Sequence, residues 1–427
     1  MIRRPFFHVS TPGLKYPKTD VGTVNAIREI PRPRKVSLLL SPDLKREELL
    51  IKVGDGVKTG QRLKLSDGAK DYLISTVTGT LSEISEYKGY MGRIYPSVTI
   101  EVPGEDEWDD GFGTADETPD SEKAVAFFDY LPGKPDFTTL SSVQCAINAI
   151  VIKGFDSDLL VSTNQLVVKT ECERLTEGIE HLKKITHVSR VFIVVPPELA
   201  DLAEETGVPV YPVKQVYPDT LPQIITKKIF GREVPPGNNC EDMGIGFINA
   251  ETVAALTTAF SEGKIPVDKI VTVINKEGVC EAVRARIGTP VKDIFNALDI
   301  EVAHGDQIIF GGPMTGTAVY SQDMPVLPDT DAVMIQDSAR IVTGSDNQCV
   351  NCGECVRACP AGVPVNMLVR LLGNGLYEEA AEEYDLFSCI ECGLCSYVCI
   401  AQIPVFHYIM LGKYEFDRIK KAEEFNA

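Results

Sequence analysis

The sequence predicts a multidomain α+β protein, and three observations carry that prediction. Apolar residues recur with period two between glycine turns across residues 31–104. Strand and helix signals alternate from 136 to 268, the pattern of parallel strands joined by crossover helices. A second β-rich stretch (269–340) then leads into a helical segment (341–427) that holds eight of the chain's twelve cysteines. The 427 residues leave room for roughly two to four domains, each with its own core.

The cysteines define the chemistry. Cys349, Cys352, Cys355 and Cys359 are spaced C-x2-C-x2-C-x3-C, and Cys389, Cys392, Cys395 and Cys399 repeat that spacing. Three thiolates on one tight loop reach three irons of a cube, and in two-cluster ferredoxins the fourth cysteine of each run ligates the other cluster. The spacing therefore assigns Cys349, Cys352, Cys355 and Cys399 to one 4Fe–4S cluster, and Cys389, Cys392, Cys395 and Cys359 to a second. Structural zinc would leave a third cysteine over in each loop. Disulfides would need an oxidising compartment, to which no signal peptide directs the chain. Clusters that only brace the fold remain an alternative. Cys145, Cys172, Cys240 and Cys280 are scattered and read as buried free thiols.

The chain in order begins with a basic arm (1–30). The first thirty-five residues carry Arg3, Arg4, Lys15, Lys18, Arg28, Arg32, Arg34 and Lys35 against Asp20 and Glu29. The net charge of the whole chain is −19, which argues against a nucleic-acid partner. The arm reads as a solvated extension, with contact to an acidic partner or anionic lipid as the functional alternative. No window has the apolar length of a membrane span, and the chain is expected to be intracellular, docking onto membrane subunits if it meets a membrane.

Residues 31–104 hold strands at Lys35–Leu40, Leu73–Val77 and Ser97–Val102, with the tight turn Val53–Gln61 and the bend Thr78–Thr80 between them. Lys70 sits near the Asp67-Gly68 turn without the flanking apolar pair of a modified lysine, so the unit reads as structural. Eight acids among Glu105–Asp120 predict a solvated linker (105–135), with Trp108 as a contact residue or a partly buried anchor. Strands are expected at Ala149–Lys153, Arg190–Val195 and Met243–Asn249. Helices are expected at Leu175–Lys184, Pro197–Glu205, Leu221–Phe230 and Ala250–Ser261. Such a sheet binds ligands at the carboxyl ends of its strands. Val271–Ile274 opens the next β-rich unit, with a helix over Thr289–Leu298 and a glycine turn, Gly311–Gly316, that reads as structural before it reads as phosphate-binding. Between the cysteine runs, Val365–Leu372 and Leu376–Tyr384 are helical around Gly373-Asn-Gly375, with Glu378, Glu379, Glu382 and Glu383 exposed. Pro360 follows the first run, while Ile400 stands in the same place after the second.

The pattern V-G-D-x-V-x-x-G-Q at Val53–Gln61, followed by Ser75-Thr-Val-Thr-Gly-Thr80, resembles the barrel-sandwich hybrid fold of lipoyl and biotinyl domains. The stretch around Ile308–Gly316 resembles a β-grasp (SLBB-like) module. The full order is barrel-sandwich hybrid, Rossmann-like α/β domain, β-grasp module and helical two-cluster ferredoxin domain. It resembles the C-type subunit of the Rnf ion-translocating ferredoxin oxidoreductase complex and, more distantly, the A-type subunit of the sodium-pumping quinone reductase and the flavin subunit of respiratory complex I. Val53–Gln61, Gly231–Gly237, Ile287–Val291, Gly311–Gly316 and Cys389–Cys399 carry the likeness. The resemblance implies a peripheral subunit on the cytoplasmic face of the membrane. Its implied partners are the other subunits of such a complex and ferredoxin or an iron–sulfur subunit.

The resemblance also implies FMN and NADH, held where a glycine-rich loop cradles the flavin phosphate. Here that stretch is Tyr130–Val143, with one glycine, and Gly154–Leu159 replaces the other wall of the pocket. Neither FMN nor NAD is expected to bind in the usual way, and no acid–base catalytic residue is assigned. The expected function is electron relay through two 4Fe–4S clusters. A ferredoxin:NAD+ oxidoreductase with an altered flavin site, and a non-redox assembly scaffold, are the alternatives.

Overall fold

The computed structural model describes residues 14–16, 27–66, 72–89, 92–113, 119, 121–142, 146–342 and 344–426. Lys70, Cys145 and the basic residues Arg3, Arg4 and Lys18 lie outside them.

Alternation builds the first β region. Val36 and Leu38 point inward from strand Lys35–Leu39 while Lys35 faces water. That strand pairs with Ile94–Glu101, which pairs with Gly79–Lys88 and so on to Gly56–Val57, all antiparallel. A two-stranded ladder of Arg62–Lys64 and Tyr72–Ile74 accompanies it. Gly54 and Gly60 take φ of +100° and +83° in the expected turn.

The acidic stretch departs in part from the expected solvated linker: Glu105, Glu107 and Asp110 are exposed, but other residues are tied to the fold. Asp106, with its side chain only 9% exposed, accepts hydrogen bonds from Arg32 (2.6 Å), the Thr59 hydroxyl (2.6 Å) and Arg286 (3.2 Å). Trp108 bridges to Thr59, and the Lys264 ammonium lies 5.3 Å from the centroid of its ring. Phe112, Phe128, Leu131 and Phe137 are buried in the core of the following region. The acid count misled because apolar anchors are interleaved with the acids and three of the stretch's partners are distant in sequence. The basic arm departs likewise where it is described. Tyr16 is buried, and Arg28–Glu29 adds an edge strand parallel to Cys280–Arg286.

A four-stranded parallel sheet follows, in the order Val210–Pro212, Val191–Val195, Ala149–Lys153, Ile245–Asn249. Its two faces read off alternate residues. Ile150, Ile152, Ile193, Val195 and Ile248 pack on helices Thr163–Thr170, Cys172–Thr186 and Ala250–Glu262. Gly178 lets two of those helices touch, since a Cβ there would lie 1.9 Å from the Val253 carbonyl. Val151, Val194 and Ile245 face the other way, onto helix Pro222–Phe230 and onto Cys392 and Leu394 of the second cysteine loop. The expected helix at Pro197–Glu205 is a succession of short turns around Ala200–Ala203.

A six-stranded mixed sheet comes next, in the order Thr317–Val319, Gln307–Phe310, Ala332–Gln336, Asp268–Ile274, Cys280–Arg286, Arg28–Glu29. Helix Val291–Ala297 buries Val291, Ile294 and Phe295 against it. The cysteine-rich region is helical: Glu354–Ala358, Val365–Gly373, Tyr377–Glu382, Leu394–Tyr397 and Val405–Asn426. Val363, Leu368, Leu372, Leu386, Ile403 and Ile409 form its core. Among the described residues no helix is long and apolar enough to cross a membrane.

Candidate iron–sulfur site

The two cysteine loops are copies of one local structure. Asn351 and Gly353 take left-handed φ of +55° and +76°, and Glu391 and Gly393 match them at +58° and +71°. Each loop runs into a short helix, Glu354–Ala358 or Leu394–Tyr397. The copies are offset by 40 residues (Cys389 against Cys349), and the offset continues past the motif: Val363-Pro-Val365 matches Ile403-Pro-Val405. This repeat was available in the sequence. It makes Pro404 the counterpart of Pro364, and it leaves Ile400 opposite Pro360 as a local difference only.

The structure brings the predicted ligands together in two sets. Cys349, Cys352, Cys355 and Cys399 line one cavity together with Val350, Val369, Ile400, Ile403 and Val405. In the second set, burial pushes the Cys389 and Cys395 thiols up, and Cys392 up to about 12. The charge of Cys359 adds to the rise at all three, which places Cys359 beside the second triplet. Burial likewise pushes Cys355 up to about 11, with Cys349 and Cys352 as its thiol neighbours. Thiols in such surroundings stay protonated at neutral pH unless a bound cation displaces the proton. Eight thiols gathered in two fours fit iron–sulfur clusters. Among the described residues no group of three or more His, Cys, Asp or Glu is disposed to hold a single metal ion.

The surroundings of the two loops differ. The second is clamped by distant elements: the Tyr217 hydroxyl donates to the Cys392 carbonyl (2.5 Å), and Lys413 donates to the Cys389 carbonyl (2.9 Å) and to Glu391 (2.7 Å). A Cβ on Gly393 would lie 2.4 Å from the Met314 carbonyl. Met314 belongs to the glycine turn 311–316, which Asp158 grips through the N–H groups of Met314 and Thr315 and the Thr315 hydroxyl. That turn therefore serves as an internal docking loop. The first loop is held locally, by Arg357 on the Cys352 carbonyl (3.0 Å) and on Glu354 (2.5 Å), and by Asn366 on Asn351 (2.9 Å). Val350 and Ile400 beside it are 64% and 68% exposed. Tyr217, Lys413 and Asp158 carry no sequence signal of their role, since each acts through a tertiary contact.

The strand order puts the crevice where a sheet of this kind binds ligands between the ends of Ala149–Lys153 and Ile245–Asn249. The chain itself is packed there. The Thr252 hydroxyl donates to the Pro132 carbonyl (2.6 Å), and the Gly133 N–H donates to the Pro328 carbonyl (2.6 Å). Even a Cβ on Gly133 would come within 2.3 Å of Thr252 Oγ1. Below it, the buried Lys269 pairs with Glu251 and with Asp331 (2.8 Å). A turn with one glycine, seated on the helix start it would have to leave open, does not fit a flavin phosphate.

Comparison with known proteins adds three findings. The family described as 4Fe-4S dicluster domain matches residues 341–400, which contain all eight cysteines. The C-type subunit of a proton-translocating ferredoxin:NAD(+) oxidoreductase complex from Clostridium ljungdahlii is 27% identical over 363 residues, covering 79% of this chain and 78% of that protein. This chain resembles the C-type subunits of Rnf-type ion-translocating oxidoreductase complexes. The C-type subunit of a Na(+)-translocating ferredoxin:NAD(+) oxidoreductase complex from Acetobacterium woodii is 25% identical over 342 residues, 74% of this chain and 76% of its own length. Its counterpart in the ion-translocating oxidoreductase complex of Pectobacterium carotovorum is 26% identical over 388 residues, and the chain spans about half of that relative's length (51%). Among solved structures, a chain of an NAD+-reducing NiFe hydrogenase aligns over 64% of this chain and 59% of its own, with 12% identity and a TM-score of 0.43.

Proposed function

We propose that the chain is the electron-transferring C-type subunit of an ion-translocating ferredoxin:acceptor oxidoreductase complex. It would relay electrons through two 4Fe–4S clusters, held by Cys349, Cys352, Cys355 and Cys399 and by Cys389, Cys392, Cys395 and Cys359. The observation that best supports the reading is Cys399, of the second run, lining one cavity with Cys349, Cys352 and Cys355 of the first. When bound, the clusters supply one-electron chemistry and the protein supplies position and electrostatics. Apolar side chains would cover most of the cluster at the second loop, and the exposed Val350 and Ile400 beside the first would leave the other within reach of a partner. Electrons would pass between a ferredoxin or iron–sulfur subunit and a membrane-embedded partner, with this chain peripheral on the cytoplasmic face. The four regions would correspond to barrel-sandwich, Rossmann-like, β-grasp and dicluster domains.

The filled crevice of the parallel sheet favours a subunit that moves electrons without handling hydride there. Iron, sulfide and flavin analysis of the native complex tests the proposal. About eight irons per chain, with no flavin released from this chain, is the expected result. About four irons, or a stoichiometric flavin, would overturn it.

A further inference from the structure

Lys413 and Glu391 form an oriented ion pair at the second cysteine loop. The Lys413 side chain is 16% exposed and its ammonium bonds inward, to the Cys389 carbonyl at 2.9 Å. Glu391, at 2.7 Å from it, is 43% exposed and turned outward. The Glu391 N–H donates to the Cys389 sulfur (3.4 Å), so the backbone of this pair already touches a ligand atom. Both side chains, with Cys389, line a cleft of about 840 Å3 bounded by Arg93, Gln223, Pro235 and Tyr414. The rest of that loop is sealed by apolar side chains, among them Leu394, Leu221 and Phe155.

Burial of an iron–sulfur cluster disfavours its reduced form, because reduction adds negative charge to a group that is already anionic. A cation fixed at the loop opposes that. We propose that Lys413 tunes the reduction potential of the second cluster, raising it against the effect of burial, and that Glu391 trims the same field from the solvent side. This rests on the electron-relay reading above. Arg357 and Glu354 make the matching pair at the first loop, but there both are about two-fifths exposed, so water screens their field.

The experiment is a potentiometric titration of the intact complex, followed by electron paramagnetic resonance of each cluster. At a fixed potential, Lys413→Gln is expected to lower the reduced-to-oxidised ratio of the second cluster about tenfold, which is about 59 mV for a one-electron couple. Glu391→Gln is expected to raise that ratio, and Lys413→Arg to restore it. The first cluster stays unchanged in all three. A role confined to holding the loop would move both neutralising variants in one direction, or neither, and either outcome overturns the proposal. Should Lys413→Gln lose the cluster, Glu391→Gln decides alone, a rise supporting the proposal and no rise overturning it. Iron content separates the two levels. Wild-type complex with one cluster or none defeats the relay itself, while two clusters without opposed shifts defeat only the tuning.

Discussion

The two cysteine loops share a backbone and differ in almost everything around it. The first closes on itself, with Arg357, Glu354 and Asn366 all within fifteen residues of the cysteine loop they brace. The second is part of the core beneath the parallel sheet, where Leu394 packs with Val151, Val194, Leu221 and Ile225. Duplication supplied the ligands twice, and the rest of the chain then built on one copy. The difference teaches that a repeated motif fixes chemistry without fixing its environment. Electrostatics and access, which decide what a cluster does, come also from residues outside the motif, from Lys413, 24 positions after Cys389, to Tyr217, 175 positions before Cys392.

The sharpest way to break this comparison is to truncate matched apolar residues. Leu394→Ala removes a fully buried side chain from the sheet-facing core and is expected to cost about 3 kcal/mol. Val350→Ala, at an exposed site of the first loop, should change stability by less than about 0.5 kcal/mol. Denaturant midpoints of the two variants check this, and equal losses would mean that the loops are equally integrated.

Glycine gives the next largest contrast. Gly353 and Gly393 share a left-handed φ, so alanine at either is strained. At 353 the added Cβ meets only the flexible end of Arg357, at 3.3 Å, whereas at 393 it meets the Met314 carbonyl at 2.4 Å. Gly393→Ala should therefore cost roughly 2 kcal/mol more than Gly353→Ala, because two backbones must separate. It should also loosen the 311–316 turn, read by faster amide exchange there.

Tyr217→Phe is smaller again. It removes one hydrogen bond and leaves the buried Cys392 carbonyl unpaired, at a cost of about 1.5 kcal/mol. Loss of iron to a chelator should then quicken from the second cluster and not from the first. Equal quickening would place the Tyr217 contact outside the cluster's support.

Much of this was legible in the sequence, for definite reasons. Cysteine spacing is local, so both loops and their shared geometry follow from it. Strand alternation is local too, which is why Ala149–Lys153, Val191–Val195 and Ile245–Asn249 match expectation to within two residues. Helix Val405–Asn426 was not foreseen: beyond Ile409 its sequence is mostly polar, and its packing on Val365–Gly373 and Tyr377–Glu382 is tertiary. Asp106 is misjudged as solvated because a run of acids signals solvent unless one knows that Arg32, Arg286 and Thr59 wait for it, whereas Trp108 is the partly buried anchor that the sequence allows. Tyr217 and Lys413 illustrate the same limit at the site. Nothing in their neighbourhoods announces a cysteine carbonyl 175 or 24 residues away.

The smallest expected effect concerns Ile400, which stands after the second run where Pro360 stands after the first. It ends the second run in sequence, yet its side chain borders the first cavity, beside Cys349, Cys352 and Cys399. It is exposed, and its N–H makes no backbone hydrogen bond among the described residues. Proline there removes no bonded donor, and Pro360 already occupies the equivalent place in the other copy. Ile400→Pro should thus alter stability by less than about 0.5 kcal/mol. Ile400→Asp would set a carboxylate at the rim of the first cavity, where negative charge disfavours the reduced cluster. It is expected to lower the potential of the first cluster and leave the second untouched. Were the second to move instead, the fourth thiols would belong to their own loops, and the crossing of Cys359 and Cys399 between clusters would be wrong.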